Sequence, residues 1–414
     1  MLRGFLSALL VVVLAGVAPA QTKTFEVTVT AGDQDRNNVP VAVQVLVPAS
    51  LAKAELAVLE DAAGKKLPAQ LTSPSLLAAK GSGEGVEREL HFILPALKAN
   101  ATATFKATLT PDGKPAGDVF TWNDKPGDST ELRLGARPVL RYMYKPLDTS
   151  TPAAREETFK VYHHVFDPTG QVLLTKGPGG LYTHHRGLFY GFNNITYGQG
   201  KKADIWHGTN NVYQSHEKFL ASEAGPVLGR HRLEIAWHGQ DKAVFAVEAR
   251  ELTVYIVPGG QLIDFASKLR AAPDAGTIKL DGDPQHAGFH FRASQEVAAK
   301  NAKQTIYIRP NGNGKPGEEK QDGDFPWKGM SFTLGELGEQ RYTVAYLDRP
   351  ANPKPAHYSE RNYGRFGSYF VAQVTQDKPL SVGYRVWVQK GEMKGEEIAA
   401  QSGNFVKPAT VTLK

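Results

Sequence analysis

The sequence predicts an all-β protein in two parts: a small Ig-like β-sandwich, then a much larger two-sheet β-sandwich with a concave face. Three observations carry this. Short segments alternate polar and apolar residues with period two, as half-buried strands do. The chain holds 41 Gly and 26 Pro, placed as punctuation between those segments. Helical periodicity is confined to QLIDFASKLRAA and SQEVAAKNA, with at most a turn or two in LTSPSLLAAK, and no fixed-period repeat suggests a propeller.

Residues 1–20 read as a signal peptide. Arg3 gives a basic start, Phe5 to Val17 is an apolar run, and Ala18-Pro19-Ala20 is a small-residue cleavage site. The run is too short for a membrane anchor, and no later segment is long and apolar enough to span a bilayer. The expectation is an exported protein, periplasmic or extracellular, with no integral membrane contact. Within 21–110, FEVTVTA, VAVQVLVPA, AELAVLED, ERELHFILPA and ATFKATLT supply the strands of the small sandwich. Residues 111–135, rich in Asp, Gly, Lys, Pro and Thr, read as a linker. Residues 136–414 hold a dense run of strands, from PVLRYMYKP to LSVGYRVWVQ, that suits one large domain.

Composition excludes several chemistries. There is no cysteine, hence no disulfide, thiolate metal site or cysteine nucleophile. The net charge of +6 is spread among interspersed acids and bases, so no basic patch invites nucleic acid. There is no nucleophile elbow, no H-E-x-x-H helix and no phosphate-binding loop.

One stretch concentrates chemistry: LYTHHRGLFYGFNNITYGQGKKADIWHG, residues 181–208. In a strand His184 and His185 point to opposite faces, so both reach one site only if the backbone turns there. The turn residues of KGPGG just before make that turn available. In HAGFHFRAS, alternation places His286, Gly288, His290 and Arg292 on one face and a core of Ala287, Phe289 and Phe291 on the other. Glu248 and Arg250 share a strand face. Asp348, Asn352, His357, Glu360 and Arg361 fall in LDRPANPKPAHYSERNYGR, which reads as a long ordered loop. His163 and His164, flanked by Tyr and Val, read as structural.

The motif THHRGLFYGF followed by ADIWHG, with VEARELTV, HAGFHFRAS (Gly288, Phe291, Arg292), LDRPANPKP (Asn352, Pro353) and KPLSVGYRVWVQKG in the same order, resembles a family of exported bacterial proteins labelled "methane oxygenase PmoA-like". The resemblance covers about residues 136–395. It implies the β-supersandwich of galactose mutarotases and polysaccharide-processing enzymes for the large domain. The stretch between Gly191 and Ala203 departs from the family pattern in being Asn- and Lys-rich.

These residues lead to an expected function: an exported carbohydrate-active enzyme that hydrolyses, eliminates or epimerises a glycan or glycoside. His184, His185, Asp204 and His286 are the expected acid/base groups. Arg186, Trp206, His207, Glu248, His290, Arg292, Asn352 and Arg361 are expected to hold substrate, with the arginines on a carboxylate or a developing oxyanion. His184 or His185, Arg186, Asp204, His207, His286 and Arg292 are expected to line one cleft. Two other readings stand beside it. One is a non-catalytic glycan-binding module using the same cleft. The other is a metal-dependent enzyme with His184 or His185, Asp204, His207 and His286 as ligands, ranked third because the spacing forms no compact ligand motif. The expected partner is a saccharide. No cofactor is demanded, and a divalent metal stays open.

Overall fold

A computed structural model describes residues 22–79, 81, 83–109, 113–115, 117–335 and 338–414. The expected signal peptide lies outside the described residues. The chain is nearly all β, as the alternation requires. Among the described residues the α-helices are two, Pro152–Thr158 and Gly395–Val406. No described helix is long and apolar enough to cross a membrane.

The N-terminal strands Thr24–Thr30, Arg36–Val47, Leu56–Asp61, Lys66–Thr72, Val86–Leu97 and Thr102–Leu109 join one seven-stranded sheet. Its seventh strand comes from the other end of the chain: Thr410–Leu413 pairs antiparallel with Thr24–Thr30. Inward-facing Val27, Val41, Leu59, Leu90 and Phe92 form its own apolar core. This sheet docks on the rest of the molecule through buried polar contacts. Gln70 accepts from the backbone of Val227 and Leu228 at 3.1 and 3.0 Å. Arg230 reaches Glu89 at 3.3 Å.

The larger part is two large antiparallel sheets with a smaller four-stranded one, Lys201–Ala203, Asn194–Tyr197, Ile278–Asp281 and Ala372–Val374, beside them. One has nine strands, with Ala287–Arg292 between Arg365–Tyr369 and Leu188–Phe192. The other has eight, with Gly260–Ala271 between Val244–Val257 and Leu380–Lys390. Their inner faces share one core: Phe289 of the first sheet stacks on Phe265 and Tyr384 of the second, with ring centroids 4.2 and 5.1 Å apart.

Three expectations change. QLIDFASKLRAA is not a helix but the strand Gly260–Ala271, paired on both sides across its length. Its alternate residues Ile263, Phe265, Leu269 and Ala271 face the core between the sheets, and pairing with two neighbours outweighs a helix-compatible composition. The expected linker holds the strands Phe120–Lys125 and Ser129–Leu134. They are the outer two strands of the nine-stranded sheet, and Thr121, Asp124 and Lys125 of the edge strand face solvent there. The expected loop LDRPANPKPAHYSERNYGR ends in a hairpin, because His357–Arg361 pairs with Arg365–Tyr369 around a turn at Gly364. SQEVAAKNA does form short helical turns, Val297–Asn301 and Ala302–Gln304.

A candidate metal centre of three histidines

Three loops bring His184, His207 and His286 together: the first leads into the strand Leu188–Phe192, the second follows that strand, and the third leads into its antiparallel neighbour Ala287–Arg292. The first is a turn, not a strand: the His185 N–H donates to the Tyr182 carbonyl at 2.9 Å, and Tyr182 takes the left-handed φ of 52°. Leaving this turn, His184 and His185 both face the cluster, their rings 4.4 Å apart. Gly187 then lets the chain press against the strand Tyr162–Val165; a Cβ there meets the His163 carbonyl oxygen at 2.0 Å.

The other two loops use one device twice. In Asp204-Ile-Trp-His207 the carboxylate accepts from the His207 backbone N–H and lies 2.8 Å from His207 Nδ1. In Asp283-Pro-Gln-His286 the carboxylate lies 3.0 Å from His286 Nδ1 and accepts from Asn193 at 2.6 Å. Each acid fixes its imidazole so that Nε2 is the free nitrogen. Burial opposes ionisation of Asp283, but the hydrogen bonds from His286, the Gln285 backbone and Asn193 hold its carboxyl below the usual carboxylate range.

Ring centroids lie 4.5 Å apart for His184 and His207, 5.3 Å for His184 and His286, and 4.6 Å for His207 and His286. One ring nitrogen from each lies within 4.8 Å of the others. The Nε2 of His184 is buried and has no hydrogen-bond partner, a costly state for a polar atom. Burial, then the positive charge of Lys160, pushes His184 down to about 2, so it is neutral at neutral pH, the form a metal ion takes. An ion about 2.1 Å from each nitrogen spans at most about 4.2 Å between two of them. Small ring rotations close that gap. His207 and His286 keep 28% and 22% of their side chains exposed, so the cluster is open on one side. The residues present therefore fit a divalent ion with an open coordination position.

The surroundings are rigid. Lys160, buried, donates to the carbonyls of His184 and Trp206, the latter at 2.6 Å, and so clamps two of the three loops. Its Nζ lies 4.0 Å from the Phe189 ring centroid. His185 is 2% exposed and stacks on His286 at 5.2 Å. Trp206 lies edge-on to His185 and His290, at 5.7 and 4.8 Å. Tyr182 and Tyr363 face each other at 5.0 Å beside the cluster.

The other expected site residues sort differently. Arg292 follows His290 on the strand face turned toward the cluster, but it is 1% exposed, and its Nη1 donates to the carbonyls of Ala293 and Tyr363. His290 is sealed too, bonded to the Ala287 carbonyl and Arg365. Neither meets solvent, because the loops that carry the histidines cover that face. Arg186 does not open onto the cluster; it lies over the Phe159 ring and bonds Glu156 at 3.0 Å and the Glu157 carbonyl, tying the turn to the helix Pro152–Thr158. Glu248 is fully buried in the other sheet, paired with Arg250 and Trp237 at 2.8 and 3.0 Å. Asn352 is buried against Asp348 and the Gly383 backbone, a loop brace. Arg361 bonds the Glu360 carbonyl and faces Glu319, with no contact to the histidines. His163 and His164 are structural as expected, bonded to His231 and Thr175. Sequence reasoning missed Asp283 and Lys160. The repeated Asp-x-x-His spacing of DIWH and DPQH was the available signal for Asp283; Lys160 carries none.

No curated protein sequence matches this chain. Among solved structures, an alpha-mannosidase from Enterococcus faecalis is similar over 94% of this chain and 46% of its own, at 8% identity and a TM-score of 0.45. A glycosyl hydrolase family 38 protein from Enterococcus faecalis is similar over 94% of this chain and 47% of its own, at 10% identity and a TM-score of 0.42. The chain thus spans less than half the length of either. Residues 129–402, which include all three histidine loops, match a family of unknown function (DUF6807), and the chain belongs to that family.

Proposed function

We propose that this protein is a divalent-metal-dependent enzyme acting on a saccharide, with His184, His207 and His286 holding the ion. One observation carries the reading: three imidazole nitrogens within 4.8 Å of one another, two of the rings oriented by carboxylates. Three protein ligands with an open side are the pattern of catalytic rather than structural sites. A bound ion there supplies Lewis acidity to a substrate oxygen or to water. The chain's own residues do the positioning. Asp204 and Asp283 orient two ligands, Lys160 clamps the loops, and the Tyr182 ring, 46% exposed beside Tyr363, offers a face for the C–H surface of a sugar. The exported location expected from residues 1–20 supports a glycan as the substrate. This ranks the metal reading above the pure histidine acid/base reading, because the three free nitrogens point at one another rather than at a substrate.

The test is turnover on a glycan panel by untagged protein, before and after chelation. The expected result is product formation that chelation abolishes and zinc or manganese restores. Turnover indifferent to chelation sinks the metal reading. Glycan binding with a bound ion and no product from any panel member moves the protein to the binding-module class.

A further inference from the structure

We infer that the sugar handled at this centre bears a carboxylate at the end that meets the ion; the inference rests on the metal reading above. Directly behind the histidines the protein buries positive charge without acids to balance it. Arg365 is fully buried, and its partners are neutral: the Gln285 carbonyl, His290 Nδ1 at 2.9 Å, Ser359 and Tyr363. Arg292 is 1% exposed, and its Nε and Nη2 have no partner at all. Lys176, also buried, bonds the carbonyls of Gly177, Tyr182 and His185. Among the described residues none of the three forms an ion pair. Elsewhere four buried arginines pair with carboxylates, Arg250 with Glu248, Arg309 with Glu360, Arg230 with Glu89 and Arg385 with Asp264, while Arg36 alone bonds neutral groups, the Ala31 carbonyl and Asn404; near the histidines three such cations gather in one place.

The location matters as much as the count. Arg365 bonds the residue that precedes His286 and the histidine that lies against Trp206. Arg292 lies 5.0 Å from the Tyr363 ring centroid, and that ring lies 6.2 Å from His185. The nearby acids are already engaged: Asp204 with His207, Asp283 with His286, Glu156 with Arg186. A divalent ion on the histidines adds to the excess. Buried cations left unpaired in a low-dielectric wall make a strongly positive field, which favours an anion at its open end. Beside the cluster, Trp206 Nε1 and His185 Nδ1 are also buried without partners, two atoms available for hydrogen bonds to such a group. Phosphate sites are built on direct guanidinium forks or on clustered backbone N–H groups. Here both guanidinia are sealed from solvent, so no fork reaches the anion and the ion is its anchor, which a single carboxylate can meet; phosphate is the competing outcome of the titration.

Calorimetric titration of the zinc-loaded full chain tests this, using glucuronate, its uncharged analogue glucuronamide, and inorganic phosphate. The expected result is glucuronate binding at least about tenfold tighter than glucuronamide and tighter than phosphate. Arg292→Gln should shrink that preference while zinc content stays at one per chain, and Lys176→Gln serves if that variant does not fold. Equal binding of glucuronate and glucuronamide, binding of phosphate alone, or no heat from glucuronate at millimolar concentration each overturns the inference. The same titration on zinc-free protein separates the two proposals. A chain that takes no zinc yet keeps the preference for glucuronate refutes the metal reading and leaves only the carboxylate preference, carried by the buried cations alone.

Discussion

Asp204→Asn tests the orienting role of the carboxylates with little change in shape. Asp204 lies 2.8 Å from His207 Nδ1 and accepts from the His207 backbone at the same distance. Asparagine keeps an oxygen for one of these bonds and removes the charge. Loss of such a partner lowers metal affinity by about 10- to 100-fold, which is about 1.4 to 2.8 kcal/mol. The pair is partly exposed, 28% for His207 and 23% for Asp204, so water screens it and the lower end applies. We expect zinc affinity to fall about tenfold, read by competition with a chromophoric chelator, with an unfolding midpoint close to wild type. Asp283→Asn should cost less, because Asp283 is 45% exposed. Unchanged zinc affinity in both variants refutes the reasoning that the two Asp-x-x-His turns serve a metal.

Lys160→Met removes the ammonium that clamps the carbonyls of His184 and Trp206. Zinc affinity in the same competition should drop about tenfold, and an unchanged value would show that the loops hold their positions unaided. Phe289→Ala opens a cavity where Phe265 and Tyr384 stack between the two sheets. Urea unfolding should show a loss of about 3–5 kcal/mol, and a loss under about 1 contradicts the shared core. At the junction with the N-terminal sheet, burial works against ionised Glu89, but the hydrogen bond and charge of His91 and the charge of Arg230 hold it down at about 2. A carboxyl depressed in the fold stabilises it fully above the ordinary value of 4.5 and loses that contribution as pH falls toward about 2. Stability measured across that window should therefore fall in the wild type and fall less in Glu89→Gln; parallel curves contradict the assignment.

The strand pattern was legible where polar and apolar residue types alternate, even though several of these strands bury both faces. Phe289 and Phe291 alternate with Gly288 and His290 as their spacing says. Gly260–Ala271 was ambiguous: Asp264, Lys268 and Arg270 alternate with Ile263, Phe265, Leu269 and Ala271 as in a strand, but Leu262, Ile263, Ala266 and Leu269 also carry helical spacing, and the pairing on both sides decides for the strand. The seventh strand of the N-terminal sheet was out of reach for a related reason: Thr410–Leu413 finds its partner almost four hundred residues away. At the site, crowding of polar types marked His184, Asp204, His207 and His286, and the turn at Tyr182 explains how both adjacent histidines turn inward. The arginines misled. Arg186 and Arg292 carry chemistry-rich side chains, but which way a guanidinium points depends on loops that pack over it, here the Pro152–Thr158 helix and the turn around Tyr363. Lys160 looks ordinary in the sequence; its role comes from two backbone carbonyls delivered by distant segments.

The most direct test of the metal centre is elemental analysis of untagged protein, purified without chelator, dialysed against zinc and then freed of excess. Wild type is expected to retain one ion per chain, and His184→Ala, His207→Ala and His286→Ala each to retain close to none while keeping the wild-type circular dichroism. Zinc retained equally by wild type and all three variants, or by none of them, contradicts the account.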